Sequence, residues 1–112
     1  MQMQRSIKTF TIASGEQESG ELSMGQGQLL GLFMPGTFTG TAITFLASDT
    51  SGGTFVDVYD VGGASAYSLT VAAGRFIPVD PRVFVGFSFV KIKSGSAEGG
   101  ARSVKASVRP VS

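Results

Sequence analysis

Three carboxylates, a glycine pair and two aromatic rings fall within SDTSGGTFVDVYD, Ser48 to Asp60, a stretch dense enough in polar side chains to raise the question of chemistry. It admits three readings: a metal-binding loop, a carboxylate pair for acid-base work, or a hairpin. If TFVDVYD is a strand, Val56 and Val58 share one face while Phe55, Asp57 and Tyr59 share the other. Asp57 and Asp60 then point to opposite sides and form no catalytic pair. A calcium loop of the EF-hand type needs oxygen ligands at alternate positions before a single glycine and a bidentate acid at its end, which this stretch does not supply. The hairpin reading remains: Asp49, Thr50, Ser51 and Gly52-Gly53 make one turn, and Asp60 opens the next.

Elsewhere the inventory is thinner. The chain has neither histidine nor cysteine, so Ser-His-Asp, Cys-His, imidazole-metal and thiolate-metal chemistry are excluded together. Ser65 in GASAY lacks the surroundings of an activated nucleophile. The glycine-rich GQGQLLG and SGSAEGGA open no helix, which a phosphate cradle requires. These features predict no catalytic residue, no metal and no cofactor. Lys91, Lys93, Lys105 and Arg109 would form a basic stripe if the last two strands paired, the alternative being an ordinary solvated sheet face. Tyr59 and Tyr67 are the aromatic side chains suited to stacking on a sugar. With a net charge of +1 and 15% charged residues, the chain lacks the concentrated positive charge of a phosphate-held nucleic-acid binder, and no specific nucleic acid is expected as partner.

The elements that position these residues are short and β-rich. SIKTFTI, LSM, QLLGLFM, TAITFLAS, TFVDVYD, AYSLTVAA, RFIPV, FVGFSFVKIKSG and RSVKASVRPV alternate with turn signals, and sixteen glycines argue against long helices. About eight strands at this spacing predict an all-β fold, an antiparallel two-sheet sandwich of jelly-roll type, with a small barrel as the alternative. A chain of 112 residues is read as one domain, 1–112, with residues 1–5 a candidate extended arm. Asp80 and Pro81 in DPRVF suit the start of one helical turn. Ser94 to Ala101 is expected to be mobile. No run approaches the roughly 18 apolar residues of a membrane span, nor does MQMQRSIKTF resemble a signal peptide; synthesis in a cytoplasm and no membrane partner are expected.

Two strands break the expected alternation. LLGLFM is apolar on both faces, and in VFVGFSFV the rings of Phe87 and Phe89 fall on the side of Lys91 and Lys93, opposite Val90 and Ile92. Either a bulge at Gly86 switches the facing, or an apolar strip is left for a protein interface. The candidate interface residues are Phe33, Leu46, Phe87, Phe89, Lys91 and Lys93.

The succession LLGLFMP, TAITFLASDTSGGTFVDVYD, TVAAGRFIPVDPRVFVGFSFVKIKSG and ARSVKASV resembles the small head decoration, or cement, proteins of tailed double-stranded DNA phages, from about Leu29 to Val108. The resemblance implies a non-enzymatic β-sandwich that oligomerises on the outer capsid surface of the virion and bridges major capsid protein subunits. Its partners would be that protein and copies of itself. The alternative is a carbohydrate-binding or accessory module of a phage tail or fibre.

Overall fold

Alternation of apolar and polar side chains organises the computed structural model, which describes residues 6–24, 27–80 and 88–110. Nine strands lie among them: β1 (Ser6–Ile12), β2 (Leu22–Ser23), β3 (Gly27–Phe33), β4 (Ala42–Ser48), β5 (Val56–Asp57), β6 (Ser68–Thr70), β7 (Phe76–Pro78), β8 (Phe89–Ser94) and β9 (Arg102–Pro110). They form two antiparallel sheets, ordered β1-β9-β3-β7 and β2-β8-β4-β5, with β6 also pairing β4. The ladders are therefore nested: first strand with last, second with second-to-last, β3 with β7, β4 with β5. Alternate ladders go to alternate sheets, which is the jelly roll expected from the sequence.

Period-two burial is clearest in β4 and β8. In β4, Ile43, Phe45 and Ala47 are buried while Ala42, Thr44 and Leu46 are half-exposed. In β8, Val90 and Ile92 are wholly buried, whereas Phe89, Lys91 and Lys93 face out. These inward residues meet Phe10 and Ile12 of β1, Leu29 and Leu32 of β3, and Val104, Ala106 and Val108 of β9 in one core. Burying each such large side chain stabilises the fold by about 1.5–3 kcal/mol.

A bulge explains the two-sided apolar run of β3. Leu29 pairs with Val108 and Gly31 with Ser107, so Leu30 is skipped in the ladder to β9. Leu29 and Leu32, three apart, are consequently both fully buried, and Phe33 is turned outward. The skipped residue is used on the other side, where the Val79 amide donates to the Leu30 carbonyl at 3.0 Å. The bulge considered at Gly86, the helical turn after Asp80, Phe87 and the arm at 1–5 fall outside the described residues.

One condition raised by the sequence is not met, and one expectation is corrected. The last two strands do not pair: β8 lies in the five-stranded sheet and β9 in the four-stranded one, so Lys91 and Lys93 are separated from Lys105 and Arg109 by the thickness of the core. Nor is Ser94 to Ala101 a free loop. The Gly15 amide donates to the Glu98 carbonyl at 2.7 Å and the Glu98 amide to the Glu16 carbonyl at 3.0 Å. Ser94 and Glu98 are themselves buried.

The facing of β8 predicts how neighbouring substitutions behave. Val90→Ser removes fully buried methyl groups and strands a hydroxyl among apolar side chains, and should cost about 2–4 kcal/mol in urea unfolding. Phe89→Ser, on the outer side, should cost about 1 kcal/mol or less.

Candidate functional site

The outward side chains make two separate surfaces. On the five-stranded sheet, Lys91 of β8 stands opposite Leu46 of β4, Lys93 opposite Thr44, and Phe89 opposite Ser48. Leu46, Phe89, Lys91 and Lys93 thus share a face, as the sequence predicts for the last three. This face is partly closed by its own contacts. The Lys91 ammonium lies 4.5 Å from the centre of the Phe55 ring and 4.0 Å from a Glu18 carboxylate oxygen, and neither Leu46 nor Phe89 is more than half-exposed.

Phe33 lies on the opposite side of the sandwich. Across the four-stranded sheet the register sets one row of Thr9, Lys105, Phe33 and Phe76, and a second of Ile7, Ser107, Gly31 and Pro78. Ile7, Phe33 and Phe76 are 54%, 42% and 45% exposed. The two rings are 4.6 Å apart at an interplanar angle of 53°, a tilted contact that holds each in place. A groove of about 610 Å³ beside them is lined by Ile7, Phe33, Met34, Pro35, Ser103 and Lys105. Sequence reasoning found Phe33 but missed Ile7 and Phe76. Their signal was membership of strands whose neighbours are known only from the ladder.

The acidic stretch that opened the question of chemistry is a turn. Ser48 Oγ donates to the Thr50 carbonyl at 2.9 Å, and the Gly53 amide to the same carbonyl at 3.1 Å. Glu21, from the chain before β2, clamps its tip by accepting from the Ser51 hydroxyl and, at 2.8 Å, from the Gly52 amide. The Ser51 bond, then the Gly52 amide, hold the Glu21 carboxyl below the ordinary glutamate range. Asp57 is exposed beside Leu46, whereas Asp60 closes the following turn, its amide donating to the Ser65 carbonyl at 2.9 Å. Among the described residues no three acids gather where a metal ion would sit. A second groove, of about 450 Å³, runs past Ser48, Asp49, Thr54, Val56 and Asp57. Tyr67 is not a free platform: it packs on Phe45 with centroids 5.9 Å apart, and its hydroxyl accepts from the Asp80 amide.

The charged group with the most constrained surroundings is one that residue-type reasoning passed over. Glu98 has no exposed side-chain surface. Its Oε1 accepts from the Thr39 amide at 2.8 Å and Arg102 Nε at 3.0 Å, its Oε2 from the Gly40 amide at 3.0 Å and Ser94 Oγ at 2.9 Å. Gly40 permits this approach, since a Cβ there would collide with Ser94 Oγ. Burial alone would raise the pKa of Glu98; the donors, led by the Thr39 amide, outweigh it, and the net shift is downward. With every acceptor position engaged, this carboxylate holds the loops and has nothing left for substrate. Its only sequence signal was an acid four residues before Arg102 in an otherwise neutral glycine-rich segment.

No family model matches this chain, and no curated protein matches it. Among solved structures it is similar to the SPBc2 prophage-derived protein YomS, with a TM-score of 0.63 and 21% identity over 97% of this chain and 96% of that one. The two share a fold from end to end.

The Glu98 network sets an acid limit. Its pKa is lower in the folded chain than the ordinary 4.5 of the unfolded one. Its contribution is therefore complete above that value and is lost as pH falls through the folded value. Glu98→Gln should lose about 3 kcal/mol at neutral pH, because Arg102 and the backbone donors keep their burial without the charge. Below pH 4.5 the gap between variant and wild type should narrow, as read by urea unfolding across pH.

Proposed function

We propose that this chain is a structural protein of a phage particle, specifically a head decoration protein that binds the assembled outer shell and bridges major capsid protein subunits. The observation that supports the reading is the end-to-end fold shared with a prophage-derived protein, joined to the resemblance carried by LLGLFMP and the strands after it. Exposed apolar side chains on the outer sheet faces suit binding to protein. The mechanism is binding without catalysis. A protein that binds assembled shell and not free subunits stabilises the shell by mass action. Repetition over many copies multiplies contacts of about 1,000 Å² or more each.

A tail-associated sugar-binding module is the second reading, favoured by the groove past Asp49, Thr54, Val56 and Asp57, where one hydroxyl and two carboxylates border an apolar surface of the kind a sugar ring packs on. The two readings separate on copy number and ligand. Under the decoration reading, mass spectrometry of purified particles should count hundreds of copies. Heads assembled without the protein should rupture at lower temperature and recover on adding it back. A handful of copies per particle, with binding to free glycans, would transfer the function to the tail.

A further inference from the structure

We infer that the outer face of the four-stranded sheet is the docking surface, and that its occupant is a partner protein presenting carboxylates around an apolar centre. This deepens the shell-binding reading and rests on it for its biological setting. The first observation is charge. The four strands of that sheet contain Lys8, Arg102, Lys105 and Arg109 and not one Asp or Glu. Arg102 is consumed by Glu98, and Lys8 pairs beside the buried Ala106, on the core side of the alternation. Lys105 and Arg109 remain on the outer face, with Arg109 also bonded to Gln28 Oε1 at 3.2 Å. The other sheet places Glu18 against Lys91 and Asp57 beside Leu46, and so balances its own cations.

The second observation is shape. The depression is the groove of about 610 Å³ that Ile7, Phe33 and Lys105 wall and Met34, Pro35 and Ser103 complete, whereas Gly31 and Ser107 beside it are buried. The tip of the Phe76 ring lies across Gly31, where a Cβ would collide with it. An apolar anchor would fill this depression and meet Ile7 and the Phe33 ring that Phe76 braces, while carboxylates around it would reach Lys105 at its rim and Arg109 further along β9. A second copy docked face to face across a twofold would instead bring the cations of both copies together with no acid on either sheet to neutralise them. A nucleic acid would find two outward cations beside an apolar centre, too few for a phosphate track.

The test is an NMR titration of the intact labelled chain with three short peptides and an oligonucleotide. One peptide has a Leu-Phe-Leu centre flanked by glutamates, the second the same centre flanked by lysines, the third a serine centre flanked by glutamates. The glutamate-flanked apolar peptide should shift the Phe33, Phe76 and Lys105 amides and bind at least about tenfold more tightly than the other two. Phe76→Ser should weaken it, and Lys105→Glu should pass the preference to the lysine-flanked peptide. Because Phe76 and Lys105 are exposed, both variants should keep the wild-type unfolding midpoint within a few degrees. Equal binding of both flanked peptides, shifts confined to the Phe89 and Lys91 face, stronger binding of the oligonucleotide, or no binding by any probe would overturn the inference. Concentration-dependent shifts at Phe33 and Phe76 without peptide would overturn it too, in favour of a second copy. The measurement needs no phage head. A chain that selects the acidic peptide but ignores heads would sink the decoration reading alone.

Discussion

A carboxylate sealed from solvent costs several kcal/mol unless donors replace its lost water, and at Glu98 the whole crossover end of the sandwich is arranged to supply them. Thr39 and Gly40 belong to the link from β3 to β4, Ser94 ends β8, and Arg102 begins β9. The backbone of Glu98 bonds Gly15 and Glu16 in the link from β1 to β2. Each of these connections carries the chain from one sheet to the other. The hydrophobic core presses the two sheets together without specifying direction along the strands. The hydrogen bonds to Glu98 have direction, and they fix how far each link travels before its next strand starts.

The parts of this architecture visible in the sequence were those encoded locally. Alternation in TAITFLAS and FVKIKS gives the inward Phe45, Val90 and Ile92, and turn residues mark nearly every strand boundary. What was illegible depends on partners distant in the chain. The stripe of Lys91, Lys93, Lys105 and Arg109 required β8 and β9 to be neighbours, and only the nested pairing shows that they are not. LLGLFM looked two-sided because a bulge leaves no mark in a run of similar side chains. Glu98 looked like a loop acid because its four donors come from three separate segments.

The same pairing sorts the interface candidates. Leu46, Phe89, Lys91 and Lys93 share one face, and Phe33 is on the other beside Ile7 and Phe76. The difference between the faces is how much each satisfies itself. Lys91 already has a ring and a carboxylate within reach. On the opposite sheet the two phenylalanines have mainly each other, and the cations have no acid in their own strands. Sandwiches of this kind carry two outer surfaces as a matter of geometry, and composition decides which one stays open.

The placement of β9 has a consequence for how the molecule comes into being. This strand, the last along the sequence, sits between β1 and β3, so neither of those has a neighbour in its sheet on that side until it arrives. β1 pairs with no other named strand. During synthesis the early strands must therefore wait, with Phe10 and Ile12 unburied, while some ninety intervening residues emerge from the ribosome. Contacts this far apart in the chain make folding slow. The nascent chain is then most exposed to misassociation in the interval before Arg102–Pro110 is free to insert, and a holding chaperone would act in that interval.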